Sequence, residues 1–208
     1  MSIIAENKGG GGNFTPMEAG NYPARCYSMV HIGTIEDEFN GEKKTLNKVR
    51  LTFEFPTETK VFKEEEGERP YILSKEFTLS MHEKATLRKM LESWRGKAFS
   101  EAEAKSFDVT KLLGKPCMIN VIHKTKPDGK VYAELSAISS LPKGMVCPDQ
   151  INPTFEWSWS EPSQDKWATL PTWLQDKMKG SREYAQWTAP TPTEGKSVVS
   201  DDPQDLPF

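Results

Sequence analysis

Cysteine is scarce in this chain, and long apolar runs are missing altogether. The three cysteines, Cys26, Cys117 and Cys147, are an odd number at long spacings with no CxxC pair. That excludes a disulfide framework and a zinc ribbon and leaves reduced thiols. Metal ligation has no other footing: Cys26 and His31 are five apart on one alternating stretch and face opposite ways, while Cys117 and His123 share a face that reads as core. No stretch approaches the roughly 20 apolar residues of a membrane span. Met1-Ser2-Ile3-Ile4-Ala5-Glu6 lacks the basic region and apolar run of a secretory signal, so a cytoplasmic protein without membrane contact is expected. Phosphate loop, nucleophile elbow and glycine-framed carboxylate pair are also missing; no cofactor is expected, and a nuclease or other enzyme rests only on dispersed acids. Internal repeats are not evident.

What is present is unevenly distributed. Hydrophobic residues are 36% of the 208 and the mean hydropathy is -0.63, below the usual globular balance, so part of the chain stays outside the core. Charge locates that part. Residues 1–143 carry 22 Lys and Arg against 20 Asp and Glu, a balance of +2, whereas residues 144–208 carry 5 against 10, a balance of -5. A mildly basic body with an acidic end suits a protein whose body meets a polyanion and whose end does not.

The patterning divides the chain into an N-terminal arm at 1–19 containing Gly9-Gly10-Gly11-Gly12, a folded domain at 20–143, a tryptophan-rich, partly helical extension at 144–187, and a disordered linker and acidic tail at 188–208. Within the domain, residues 22–32 alternate, with Ala24, Cys26, Ser28, Val30 and Ile32 on one side and Arg25, Tyr27, Met29 and His31 on the other. A second strand, 48–55, puts Val49, Leu51, Phe53 and Phe55 on the core and Lys48, Arg50, Thr52 and Glu54 outward. A charged insertion around Glu64 precedes a third strand at 71–79. Ser80-Met81-His82-Glu83 has capping-box spacing and predicts a helix start, followed by the stripe Leu87, Met90, Leu91 and Trp94 and by Gly96 as a left-handed cap. Ser100-Glu101-Ala102-Glu103 repeats the capping pattern for a short helical turn, and Leu112-Leu113-Gly114 closes another. Strands at 117–124 and 130–138 join through Lys126-Pro127-Asp128-Gly129, and Pro171 leads a helix running to Gly180. Three strands, a helix and two strands is the element order of an OB-fold barrel, so a mainly β fold with a five-stranded barrel is expected.

Binding single strands without reading sequence needs cations along a groove and aromatic faces for stacked bases. Arg25 and Tyr27 share the outer face of strand one, and Lys48 and Arg50 that of strand two. Lys43 and Lys44 occupy the first hairpin loop, while Lys124, Lys126 and Lys130 flank the last one beside Tyr132; Lys75 on strand three is a weaker candidate. Scattered strand lysines also serve solubility and edge protection, so the cluster carries the reading. Asp201, Asp202 and Asp205 with Leu206, Pro207 and Phe208 make an anionic hook with an apolar anchor, suited to a partner's pocket with a basic rim.

At this point the chain resembles the phage-type single-stranded-DNA-binding proteins with an OB-fold. The resemblance covers roughly residues 14–143 and rests on Gly20-Asn21-Tyr22-Pro23-Ala24-Arg25, Phe53-Glu54-Phe55, Trp94-Arg95-Gly96 and Leu112-Leu113-Gly114-Lys115-Pro116-Cys117, with Leu170-Pro171-Thr172-Trp173-Leu174 beyond it. The tail is similar to the acidic, phenylalanine-ended tails of bacterial and phage single-strand binders. The resemblance implies sequence-independent single-stranded-DNA binding in replication, recombination or repair, with replication or recombination proteins recruited through the tail. The modest +2 of the body leaves an alternative: an adaptor of a replication assembly with little direct DNA contact. Self-association through barrel edges, the tryptophan segment or the tail stays open.

Overall fold

The computed structural model describes residues 15–39 and 41–188. Its architecture is mainly β. Strands β1 (Gly20–Phe39), β2 (Glu42–Val61) and β3 (Glu68–Thr78) precede helix α1 (Thr86–Arg95) and the short helix α2 (Glu101–Lys105). Strands β4 (Pro116–Thr125) and β5 (Val131–Ser139) complete the sheet, whose antiparallel order is β3-β2-β1-β4-β5. The sheet is open between β3 and β5, where the Lys75 ammonium donates across to the Leu135 carbonyl at 2.8 Å. The extension then supplies β6 (Phe155–Trp157), which pairs parallel with β1, and helices α3 (Gln164–Thr169), α4 (Thr172–Lys179) and α5 (Arg182–Thr188). No described helix is long and apolar enough to cross a membrane.

The strands are longer than alternation alone predicts because β1 and β2 continue as a two-stranded ribbon to the Phe39–Glu42 pair. One face of the sheet carries the main core. Val49, Leu51, Phe53 and Phe55 of β2 are fully buried there, with Cys117, Ile119 and Val121 of β4 and the stripe Leu87, Met90, Leu91 and Trp94 of α1. Phe53 and Trp94 meet at 5.6 Å between ring centroids, and the Trp94 indole N–H donates to the Pro116 carbonyl at 2.8 Å, so the ring is buried with its polar edge satisfied. Gly96 caps α1 at φ 66 as expected. The start of α1 differs. The Ser80 hydroxyl turns back to accept from the His82 amide, and the helix begins at Thr86 without a side-chain cap; a local serine turn competes successfully with the capping box. The second box forms as expected, Ser100 and Glu103 exchanging both bonds.

The opposite face of the sheet carries a second core, and it corrects the reading of β1. The register with β2 shifts between Cys26 and Ser28, leaving Tyr27 as an extra residue. A bulge reverses the alternation beyond it. Ala24, Cys26 and Met29 therefore enter the main core, while Val30 and Ile32 pack on the other side with Trp157, Leu170, Leu174 and Met178. A second shift, between His31 and Gly33, accompanies Gly33 at φ 99, where a side chain would collide with Glu183, Ser181 and Trp159. The expected arm also contributes: Met17 is buried in the main core.

Candidate nucleic-acid interface

Two neighbouring residues hold the extension onto the sheet. Arg25 of β1 and Glu54 of β2 are register partners pointing away from the main core. The Arg25 guanidinium donates to the carbonyls of Pro148 at 2.6 Å, Gly114 at 2.9 Å and Cys147 at 3.0 Å. The Glu54 carboxylate accepts from the Ile151 amide at 2.6 Å, the Asn152 amide at 2.8 Å and the Asn152 side-chain amide at 2.6 Å. A cation on carbonyls and an anion on amides, with two residues between them along one passing segment, fix that segment's direction and register. Glu54 is fully buried as a result. A third anchor is Glu183 of α5, which accepts from the Thr34 amide and hydroxyl, each at 2.7 Å. Burial pushes the Glu183 carboxyl up, but the two Thr34 bonds, together with its own backbone amide and nearby His31, outweigh it and hold it below the ordinary carboxylate range.

Where the extension meets the outer face of β2 and β3, a cleft of about 540 Å³ opens, lined by Tyr27, Arg50, Ile72, Ser74, Asn152 and Trp173 among others. Arg50 lies with its guanidinium 4.7 Å from the Trp173 ring centroid and 3.5 Å from Glu76. Lys177, one helical turn beyond Trp173 on α4, reaches the same Glu76 at 2.6 Å. Burial pulls Arg50 down and Glu76 pulls it back up, but guanidinium stays charged. Tyr27, on the bulge, has its phenol pushed up chiefly by burial and then by Glu54.

The expected binding residues separate into three groups. Tyr27 and Arg50 line the cleft. Lys43 and Lys44 are exposed at the β1–β2 hairpin, Lys44 next to Glu42 at 3.1 Å. Lys124, Lys126, Lys130 and Tyr132 gather at the β4–β5 hairpin, where Lys126 sits 5.7 Å from the Tyr132 ring centroid, Lys124 pairs with Glu134 at 2.9 Å and Lys130 with Asp128 at 3.5 Å. The register puts these hairpins at opposite ends of β1. The remaining three cations are committed elsewhere: Arg25 to the extension, Lys48 to Asp37, and Lys75 to the β3–β5 gap on the inner face, the side it shares with buried Phe77. Asp201, Asp202, Asp205, Leu206, Pro207 and Phe208 lie outside the described residues.

Sequence reasoning missed Trp173, which lines the cleft, and Glu76 and Lys177, which join Arg50 in the ion-pair cluster beside it. The i, i+4 spacing of Trp173 and Lys177 places them on one helix face, a legible signal; their meeting with Arg50 is tertiary. Among the described residues no group of three His, Cys, Asp or Glu is placed to hold a metal ion. No protein-family model matches the chain, and no curated protein does.

Proposed function

We propose that this chain is a sequence-independent single-stranded-DNA-binding protein of the OB type, serving replication, recombination or repair, with its acidic tail recruiting partner proteins. The order β3-β2-β1-β4-β5 with α1 between β3 and β4 supports an OB sheet, and Lys75 reaching Leu135 supports closure of that sheet into a partly open barrel. The observation that carries the reading is where the cleft lies: on the outer face of β2 and β3, with an arginine and an exposed indole inside it and a lysine-bearing hairpin at each end of β1. OB-folds engage oligonucleotides on that face and with the β1–β2 and β4–β5 loops. Stacking and phosphate contact need no base-edge readout, so sequence independence follows.

A second reading is supported by the ion pairs. Lys48, Arg50, Lys124, Lys130 and Lys177 each face a carboxylate, which lowers the field that a polyanion meets and favours an adaptor with little DNA contact. Anisotropy of labelled oligo-dT, with a duplex of equal length as comparison, separates the two. Single-strand binding well above duplex binding is expected; equal affinity for both, or none for either, rejects the proposal.

A further inference from the structure

We infer that the extension is part of the binding site, with Trp173 as a base-stacking platform and Arg50 and Lys177 as the phosphate contacts beside it. The inference rests on the single-strand reading above and assigns to its cleft the ring that takes the base.

Trp173 is exceptional among the tryptophans. All six lie among the described residues, and Trp173 alone is exposed, at 52%. Trp157, Trp159, Trp167 and Trp187 pack with ring centroids 5.4–6.0 Å apart, and Trp94 is in the main core. Leu174 and Met178 form the buried stripe of α4, and Trp173 lies one residue off it, above Arg50. An indole that served only to cover the arginine would not need to leave half its surface in water.

The charges beside the ring suit one phosphate. Arg50 and Lys177 share the single Glu76 carboxylate, while Asp37, which also feels Lys177, is paired by Lys48, so three cations meet two anions and one positive charge is left over beside the ring. Ile72, itself 50% exposed, adds an apolar wall. The occupant is an unpaired nucleotide, because a base within a duplex cannot offer its face to an indole. The Arg25, Glu54 and Glu183 anchors hold the extension on the sheet, so the platform is in place before the strand arrives.

The test uses the full chain, Trp173→Leu and Trp173→Phe, each titrated with labelled oligo-dT after thermal melting. If the wild-type chain fails to bind, the single-strand reading itself fails. If it binds, Trp173→Leu should weaken binding by about 5- to 150-fold, the range for loss of one base stack, and Trp173→Phe by less than fivefold. Intrinsic emission gives an independent readout. Trp173→Phe should lose more than half of the quenching that oligo-dT causes in the wild type, since the other rings are buried or half-buried in the two cores. Unchanged quenching overturns the inference even if Trp173→Leu is destabilised, as does unchanged affinity in a Trp173→Leu protein that melts normally.

Discussion

Replacing Glu54 by Gln should loosen the extension from the sheet although the two side chains have the same shape. Glu54 is fully buried and its carboxylate is the acceptor for three N–H groups, two of them backbone. The favoured amide orientation keeps its one oxygen toward the two Asn152 donors and turns an NH₂ group on the Ile151 amide. One charge-assisted bond is lost, at about 1.5–3 kcal/mol, and two more become neutral bonds, losing about 1 kcal/mol each. Relaxation of the strand offsets part of that sum, so a net loss of about 3 kcal/mol is expected, large against a typical stability of about 5–15 kcal/mol. For a chain of this size that corresponds to a fall in Tm of about 6–12 °C. Urea unfolding followed by tryptophan emission and circular dichroism measures it, with exposed Glu65→Gln as a control expected within about 0.5 kcal/mol of wild type. A Glu54→Gln loss below about 0.5 kcal/mol would refute the clamp.

Gly33→Ala should cost about 2–4 kcal/mol in the same assay, because the backbone sits at φ 99 and the new methyl would lie 2.7–2.8 Å from Glu183, Ser181 and the Trp159 nitrogen; wild-type stability would remove the bulge from the account. Burial pushes the Cys26 thiol up to about 12 and raises Cys117 well above its ordinary value. Both should therefore resist a thiol reagent in the native protein at pH 8 and react on unfolding. The folded state keeps a proton that the unfolded chain releases, so the Cys26 contribution is complete below pH 9 and declines by about 1.4 kcal/mol per pH unit between 9 and 12. Stability flat across that window contradicts the burial.

Much of the fold is written in short-range pattern. Strict alternation over residues 48–55 places four β2 side chains in the core, and the stripe ending at Trp94 and Gly96 gives α1, because one period decides each. The bulge at Tyr27 is invisible to that logic: nothing in its neighbours marks an extra residue, and it alone sends Val30 and Ile32 to the second core. Ser80 failed as a cap since the same hydroxyl serves a tighter turn. At the cleft, alternation correctly turned Arg50 and Glu54 outward, but their partners come from about a hundred residues later in the chain. The tryptophan-rich segment was legible as something that must pack, and the face it covers was not.

Salt dependence of oligo-dT binding probes the proposed function most directly. Engaging about four phosphates through the cleft and hairpin cations should give log affinity against log salt a slope near -3, from about -0.7 per phosphate on a single strand. The slope should be the same for oligonucleotides of different sequence. A slope near zero, or binding confined to one sequence, would contradict a site built from stacking and phosphate contact.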